Sequence, residues 1–184
     1  VPADGTDNEI IAEILKGRKE GFTVLVERYQ QAAYKMALAL LRHPADAEDA
    51  ASEAFVKAYA ALPGCRDGTN FKGWLLKITY NCCQDILRKR AVTGKYAGPD
   101  PVDTASGGPG PLDAVIEQED KQALWSALAE LGPEDRSAVV MKYYHGLSYR
   151  EIAAALNWPM GTVATRLARA REKLHRILKG GGNQ

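Results

Sequence analysis

The sequence predicts an all-α protein: two small helical domains joined by a flexible Gly/Pro-rich linker, the C-terminal one a helix-turn-helix domain. Three observations carry this expectation. Apolar residues recur at three- and four-residue spacing along both halves of the 184-residue chain, as in helices with one buried face. Period-two alternation of β-branched residues is absent. Between the halves, "AVTGKYAGPDPVDTASGGPGP" (91–111) has nine Gly or Pro in 21 residues, a composition that neither holds a helix nor fills a core. The expected division is 1–91 for the N-terminal domain, 92–111 for the linker and 112–184 for the C-terminal domain.

In the N-terminal half, Asp7 is a candidate cap for a helix with Ile10, Ile11, Ile14 and Leu15 on one face, closing near Gly17. A second helix is expected from about Lys19 to Arg42, carrying Phe22, Leu25, Val26, Tyr29 and Ala33 at helical spacing. Pro44 interrupts it, and 45–62 forms the third. Pro63 and Gly64 open a loop, and the fourth helix runs from Phe71 to about Arg90, its apolar stripe being Phe71, Trp74, Leu75, Ile78 and Cys82. Trp74 resembles a stacking platform for a base, but its place on that stripe assigns it to the core.

After the linker, 112–131 is helical and halts at Gly132-Pro133, and 134–145 follows, ending at Gly146. The segment from Leu147 reads as helix, tight turn, helix. Ser148 and Glu151 have the spacing of a capping box, worth about 1 kcal/mol for the cap. Asn157 suits a left-handed turn residue, and Pro159 and Gly161 restart the chain. In the second helix Val163, Leu167, Ala170 and Leu174 share one face. Thr165, Ala168, Arg169 and Glu172 share the opposite one, with Thr162 close by and Arg166 and Arg171 flanking the apolar stripe. A helix presented this way in a major groove reaches base edges with its outer face and phosphates with its flanks.

Net charge is only +1, but the charges are segregated. Residues 148–179 hold seven Lys/Arg against two acids and 71–90 five against one; 112–135 holds seven acids against one lysine and 43–62 four against one. Two basic and two acidic surfaces imply at least two kinds of partner. The three cysteines, Cys65, Cys82 and Cys83, lack the spacing of a disulfide framework or zinc site. No metal or cofactor is expected. The longest apolar run, "MALALL" (36–41), is too short to span a bilayer, so the expected location is cytoplasmic, without membrane insertion.

In order along the chain, "ADAEDAASEAFVKAYAALPG", "FKGWLLKITYNCCQDILRKR" and "LGPEDRSAVVMKYYHGLSYREIAAALNWPMGTVATRLARAREKL" closely resemble the extracytoplasmic-function sigma factors of bacteria. The resemblance covers about Asn8 to Leu178, leaving out the linker. It implies a monomer when free that binds core RNA polymerase and directs it to promoter DNA, has no active site, and is held silent by an anti-sigma protein. It further implies that an N-terminal domain captures and opens the minus-ten element and a C-terminal domain reads the minus-thirty-five element as duplex.

Under that resemblance, Asp46, Asp49 and Glu53, at i, i+3 and i+7 on the third helix, meet basic helices of the polymerase clamp. Many relatives have glutamine where Ser52 stands. The loop 63–70 and the fourth helix hold melted minus-ten DNA through Arg66, Asn70, Lys72, Lys77, Tyr80, Asn81, Arg88 and Lys89. Thr162, Thr165, Arg166, Ala168, Arg169 and Arg171 meet the minus-thirty-five element. Two other readings compete. A dimeric helix-turn-helix regulator leaves the acidic helix 46–62 and the basic helix 71–90 without a role. A metal-dependent nucleic-acid enzyme using Asp46, Glu48, Asp49 and Glu53 lacks a converging ligand from elsewhere in the chain.

Overall fold

A computed structural model describes residues 5–65, 70–94 and 118–180. Among them the elements are α1 (Asp7–Leu15), α2 (Gly21–Leu41), α3 (Pro44–Ala61), α4 (Phe71–Thr93), α5 (Gln118–Ala129), α6 (Pro133–Val139), α7 (Tyr149–Leu156) and α8 (Met160–Gly180), with no strand. The all-α expectation holds.

Thr6, not Asp7, caps α1: its hydroxyl accepts from Glu9 N while the Glu9 carboxylate accepts from Thr6 N at 2.8 Å. Asp7 instead accepts from the Arg28 guanidinium at 2.6 Å and the Tyr29 hydroxyl at 2.5 Å, pinning α1 to α2. Burial first, and the Asp7 carboxylate second, push the Tyr29 phenol up to about 12. Leu15 departs from the expected apolar face, being 50% exposed, because α1 ends there and the chain turns away.

Helix α2 is the central strut. Its run Met36 to Leu41 is buried on every side, the pattern of a helix enclosed by neighbours all round. Helices α1, α3 and α4 pack on it from the N-terminal half, and α5 and α6 from the C-terminal half. It stops where Arg42 adopts a left-handed conformation (φ 55), and the His43 Nδ1 accepts from Asp46 N to begin α3. Alanines at 47, 50, 51, 54 and 58 are all buried on α3, so its backbone approaches α2 and α4 closely.

Helix α4 is longer than expected. It runs past the division at 91 to Thr93 and ends at left-handed Gly94; the linker beyond Gly94 lies outside the described residues. Its buried set is also wider than one stripe: Gly73, Leu76, Thr79 and Cys83 join Phe71, Leu75 and Cys82, whereas Trp74 and Ile78 are half-buried. The reason is that α2 and α3 cover one side of α4 and α7 covers another.

That second covering corrects an expectation. A Gly/Pro tether suggests two domains free to separate, but in this structure the halves share one apolar cluster. Arg136, 6% exposed, ties them together at α2 and α6. Its guanidinium donates to Leu128 O (2.8 Å), Ala129 O (2.9 Å) and Leu131 O (2.7 Å) at the end of α5, and to Ala39 O (3.0 Å) and Leu40 O (3.4 Å) at the end of α2. Carbonyls in the last turn of a helix have no intrahelical donor, and a cation there is favoured by the helix dipole. One arginine therefore closes two helix ends, one from each half.

At the other end of the contact, Lys72 Nζ donates to His145 O at 2.8 Å and the Asn70 amide donates to the Glu151 carboxylate. Gly73 backs onto Leu147: a Cβ there would stand 3.8 Å from the Leu147 side chain. Past Val139 the chain winds into one π turn, Val140–Tyr144, which delivers buried His145 to this junction.

Candidate nucleic-acid interface

The helix-turn-helix forms as the sequence indicates. Ser148 and Glu151 make the full capping box, with Ser148 N and its hydroxyl both 2.7 Å from the Glu151 carboxylate. These bonds, and the one from Asn70, hold the Glu151 carboxyl below the usual range. Asn157 takes the left-handed turn (φ 55). Val163, Leu167 and Ala170 are buried, and Leu174 is packed against the same core. Thr165, Ala168, Arg169, Arg171 and Glu172 are exposed and Thr162 is half-exposed. The Thr165 hydroxyl donates back to Gly161 O at 2.9 Å, leaving its oxygen free to accept.

Arg166 differs from its neighbours. Its guanidinium meets Glu134 at 2.6 Å and Asp135 at 2.8 Å, at the start of α6, and lies 4.8 Å from the Trp158 ring centroid. The hydrogen bond to Asp135, aided by both acids' charges, raises its already high pKa. The resemblance implies a contact with the minus-thirty-five element; in this structure the side chain is also paired within its own domain. No local pattern signals this, because the acids lie some thirty residues upstream.

On α4, Asn81, Arg88 and Lys89 are exposed and Lys77 is half-buried; Arg88 pairs with Asp85 at 3.1 Å. Asn70 and Lys72 are engaged by the C-terminal half, and Tyr80 is half-buried. Asn70 also caps α4, accepting from Gly73 N at 3.1 Å. Burial lowers the Lys72 pKa. The Tyr80 phenol is pushed up by burial and by the Glu134 carboxylate of α6. Arg66 lies outside the described residues.

The acidic stripe on α3 is also uneven. Asp46 accepts from Arg90 of α4 and sits beside the His43 ring, so it also braces α3 against α4. Asp49 is exposed, and exposed Glu53 pairs with Lys57 at 2.8 Å. A shallow groove between α2 and α3, lined by Gln30, Tyr34, Glu48, Ser52 and Phe55 among others, continues this face.

Cys82 and Cys83 are buried, and burial pushes both thiols up, which disfavours thiolate chemistry. Among the described residues no group of three or more His, Cys, Asp or Glu could hold a metal ion, and no helix is long and apolar enough to cross a membrane.

Known proteins match both halves of the chain. The model of Sigma-70 region 2 matches residues 25–93 and that of Sigma-70, region 4 matches 121–174. The ECF RNA polymerase sigma-E factor of Escherichia coli (strain K12) is 32% identical over 179 residues, covering 92% of each chain. The ECF RNA polymerase sigma factor SigW of Bacillus subtilis (strain 168) is 32% identical over 177 residues, covering 92% of this chain and 95% of that one. Among solved structures, the sigma factor RpoE in complex with the anti-sigma factor NepR from Bartonella quintana superposes with a TM-score of 0.70 at 26% identity, over 86% of this chain and 96% of that one. CnrH in complex with the cytosolic domain of CnrY gives a TM-score of 0.70 at 25% identity, over 95% and 97%. The chain belongs to the ECF sigma factors, the alternative sigma factors that direct promoter-specific transcription initiation.

Proposed function

We propose that this sigma factor works in the cytoplasm, has no active site of its own, and divides its work among three surfaces. Exposed Asp49 and Glu53 on α3 bind the polymerase clamp, with Asp46 bracing the helix from behind. The face of α4 that includes Lys77, Asn81, Arg88 and Lys89, with Asn70, Lys72, Tyr80 and the loop bearing Arg66, holds minus-ten DNA. The outer face of α8 reads the minus-thirty-five element. The observation that carries this reading is α8 itself: an anchored apolar face backs a wholly solvent-facing row, Thr165, Ala168, Arg169 and Glu172. Run-off transcription with core polymerase on a promoter library tests it, because it measures the activity and reports the element read. Absence of any promoter-dependent product would defeat the reading.

The packing of α7 on α4 gives the free protein a resting form. Asn70 and Lys72 are occupied by the C-terminal half, so polymerase must part the halves before α4 meets melted DNA. An anti-sigma protein that held the halves in a form unable to take up polymerase would compete with it. The structural relatives were solved in complex with the anti-sigma factor NepR and with the cytosolic domain of CnrY, which supports extending an inhibitory partner to this chain.

Two tests arise from these surfaces. Arg169→Ala should cost about 1–3 kcal/mol at the base it faces and relax selectivity there, as loss of a base contact does. Binding to a panel of substituted promoters would show it; a uniform loss across the panel would place Arg169 on phosphate instead.

The second concerns acid. His145 is 6% exposed, its Nε2 has no hydrogen-bond partner, and burial, with the nearby Lys72 charge, lowers its pKa to about 3. Below about 6.5 the unfolded chain takes up a proton that the folded one refuses, so stability falls as pH drops from there towards 3. His145→Gln should flatten that part of the stability profile, measured by denaturant unfolding at pH 7 and pH 5.

A further inference from the structure

We propose that Glu134 and Asp135 act as positioning residues for promoter reading, setting the pose of α8 by clamping Arg166; this rests on α8 reading the minus-thirty-five element. Arg166 joins three pieces of the domain. It forks onto two carboxylates at the start of α6, covers the Trp158 ring in the turn, and springs from α8 itself. An exposed ion pair by itself adds little stability. A planar fork held by two acids and seated on an aromatic face fixes orientation, a task for which lysine is a poor substitute.

The clamp lies among the residues offered to DNA. Asp135, Gly161, Thr162, Thr165, Arg166 and Arg169 line one open concavity. Asp135 is thus a carboxylate on the reading surface contributed by another helix. Paired with Arg166 it presents little charge to a phosphate. With the pair broken, the guanidinium is released to any backbone phosphate nearby, which adds affinity without sequence information. The clamp therefore trades non-specific attraction for a fixed register of Thr165, Ala168 and Arg169 over the base edges.

The test compares holoenzymes carrying the wild-type chain, Glu134→Gln with Asp135→Asn, Arg166→Lys, or Arg169→Ala. Each is bound to the duplex promoter recovered from the run-off selection and to the same duplex with single substitutions in its minus-thirty-five element. The amide pair should raise affinity for substituted duplexes, steepen the dependence of log K on log salt by about 0.9, as one added phosphate contact does, and lower selectivity roughly tenfold, within the range of one base contact. Arg166→Lys keeps the charge but loses the fork, and should lower selectivity similarly. It decides the matter alone if the amide pair fails to fold. Unchanged selectivity in both, with Arg169→Ala reducing it, would overturn the clamp and leave the α8 reading intact. Unchanged selectivity in all three would overturn both.

Discussion

Asp49→Lys combined with Glu53→Lys should abolish binding to core RNA polymerase while leaving the helical content unchanged. Both side chains are exposed on α3, and neither anchors the fold: Asp49 faces solvent, and Glu53 makes one surface pair with Lys57 at 2.8 Å. The local cost of setting a second lysine one turn before Lys57 is a few tenths of a kcal/mol, as for like charges at i,i+4. Across a partly desolvated contact the same reversal turns attraction into repulsion, and such juxtaposition costs several kcal/mol. Loss of polymerase pull-down with an unchanged circular dichroism spectrum is the expected pair of results. Undiminished pull-down would remove α3 from the interface. Asp46→Lys belongs to a different experiment, because losing its bond to Arg90 loosens α3 from α4 and confounds folding with binding.

Arg136→Ala should be strongly destabilising, by about 3–5 kcal/mol, because it strips several buried carbonyls of a charged donor at once. The loss has two parts. Five carbonyl groups at and just past the ends of α2 and α5 lose a charged donor, Leu128 O keeping a backbone one from Leu131 N, and each buried acceptor left unsatisfied costs on the order of 1 kcal/mol or more. The seam between the halves also loses its tie. Thermal unfolding should shift down by roughly 10 °C for a chain of this size. Arg136→Lys should recover only part, since an ammonium cannot reach carbonyls spread around a planar guanidinium. A shift of less than about 2 °C would show that other donors replace it.

Much of this was legible in the residues, and the reasons divide by distance along the chain. Local chemistry could be read: the Ser148–Glu151 box, the Asn157 turn and the Val163–Leu167–Ala170 face depend on spacings of three or four residues. The family assignment was equally readable, because three motifs occur in one order. What the sequence concealed were side chains whose partners lie far along the chain. Asp46 reads as one of a stripe and Arg166 as a flanking cation, and nothing local shows that Arg90 and Asp135 also pair with them or that Arg136 reaches the carbonyl of Ala39. Asp7 shows a nearer failure. It and Thr6 are both good cap residues, and the choice fell to Thr6 because Arg28 and Tyr29 of α2 claim the carboxylate.

The contact of α7 with α4 has a kinetic consequence. Exposed α3 lets polymerase dock at once, but the parted form that frees α4 for DNA is reached by a first-order step that no increase in polymerase concentration can hasten. The observed rate of holoenzyme assembly should then rise with polymerase at low concentration and level off at the opening rate. Substitutions that loosen the Leu147–Gly73 contact should lift that plateau, setting how quickly the cell can redirect transcription after the inhibitor is gone.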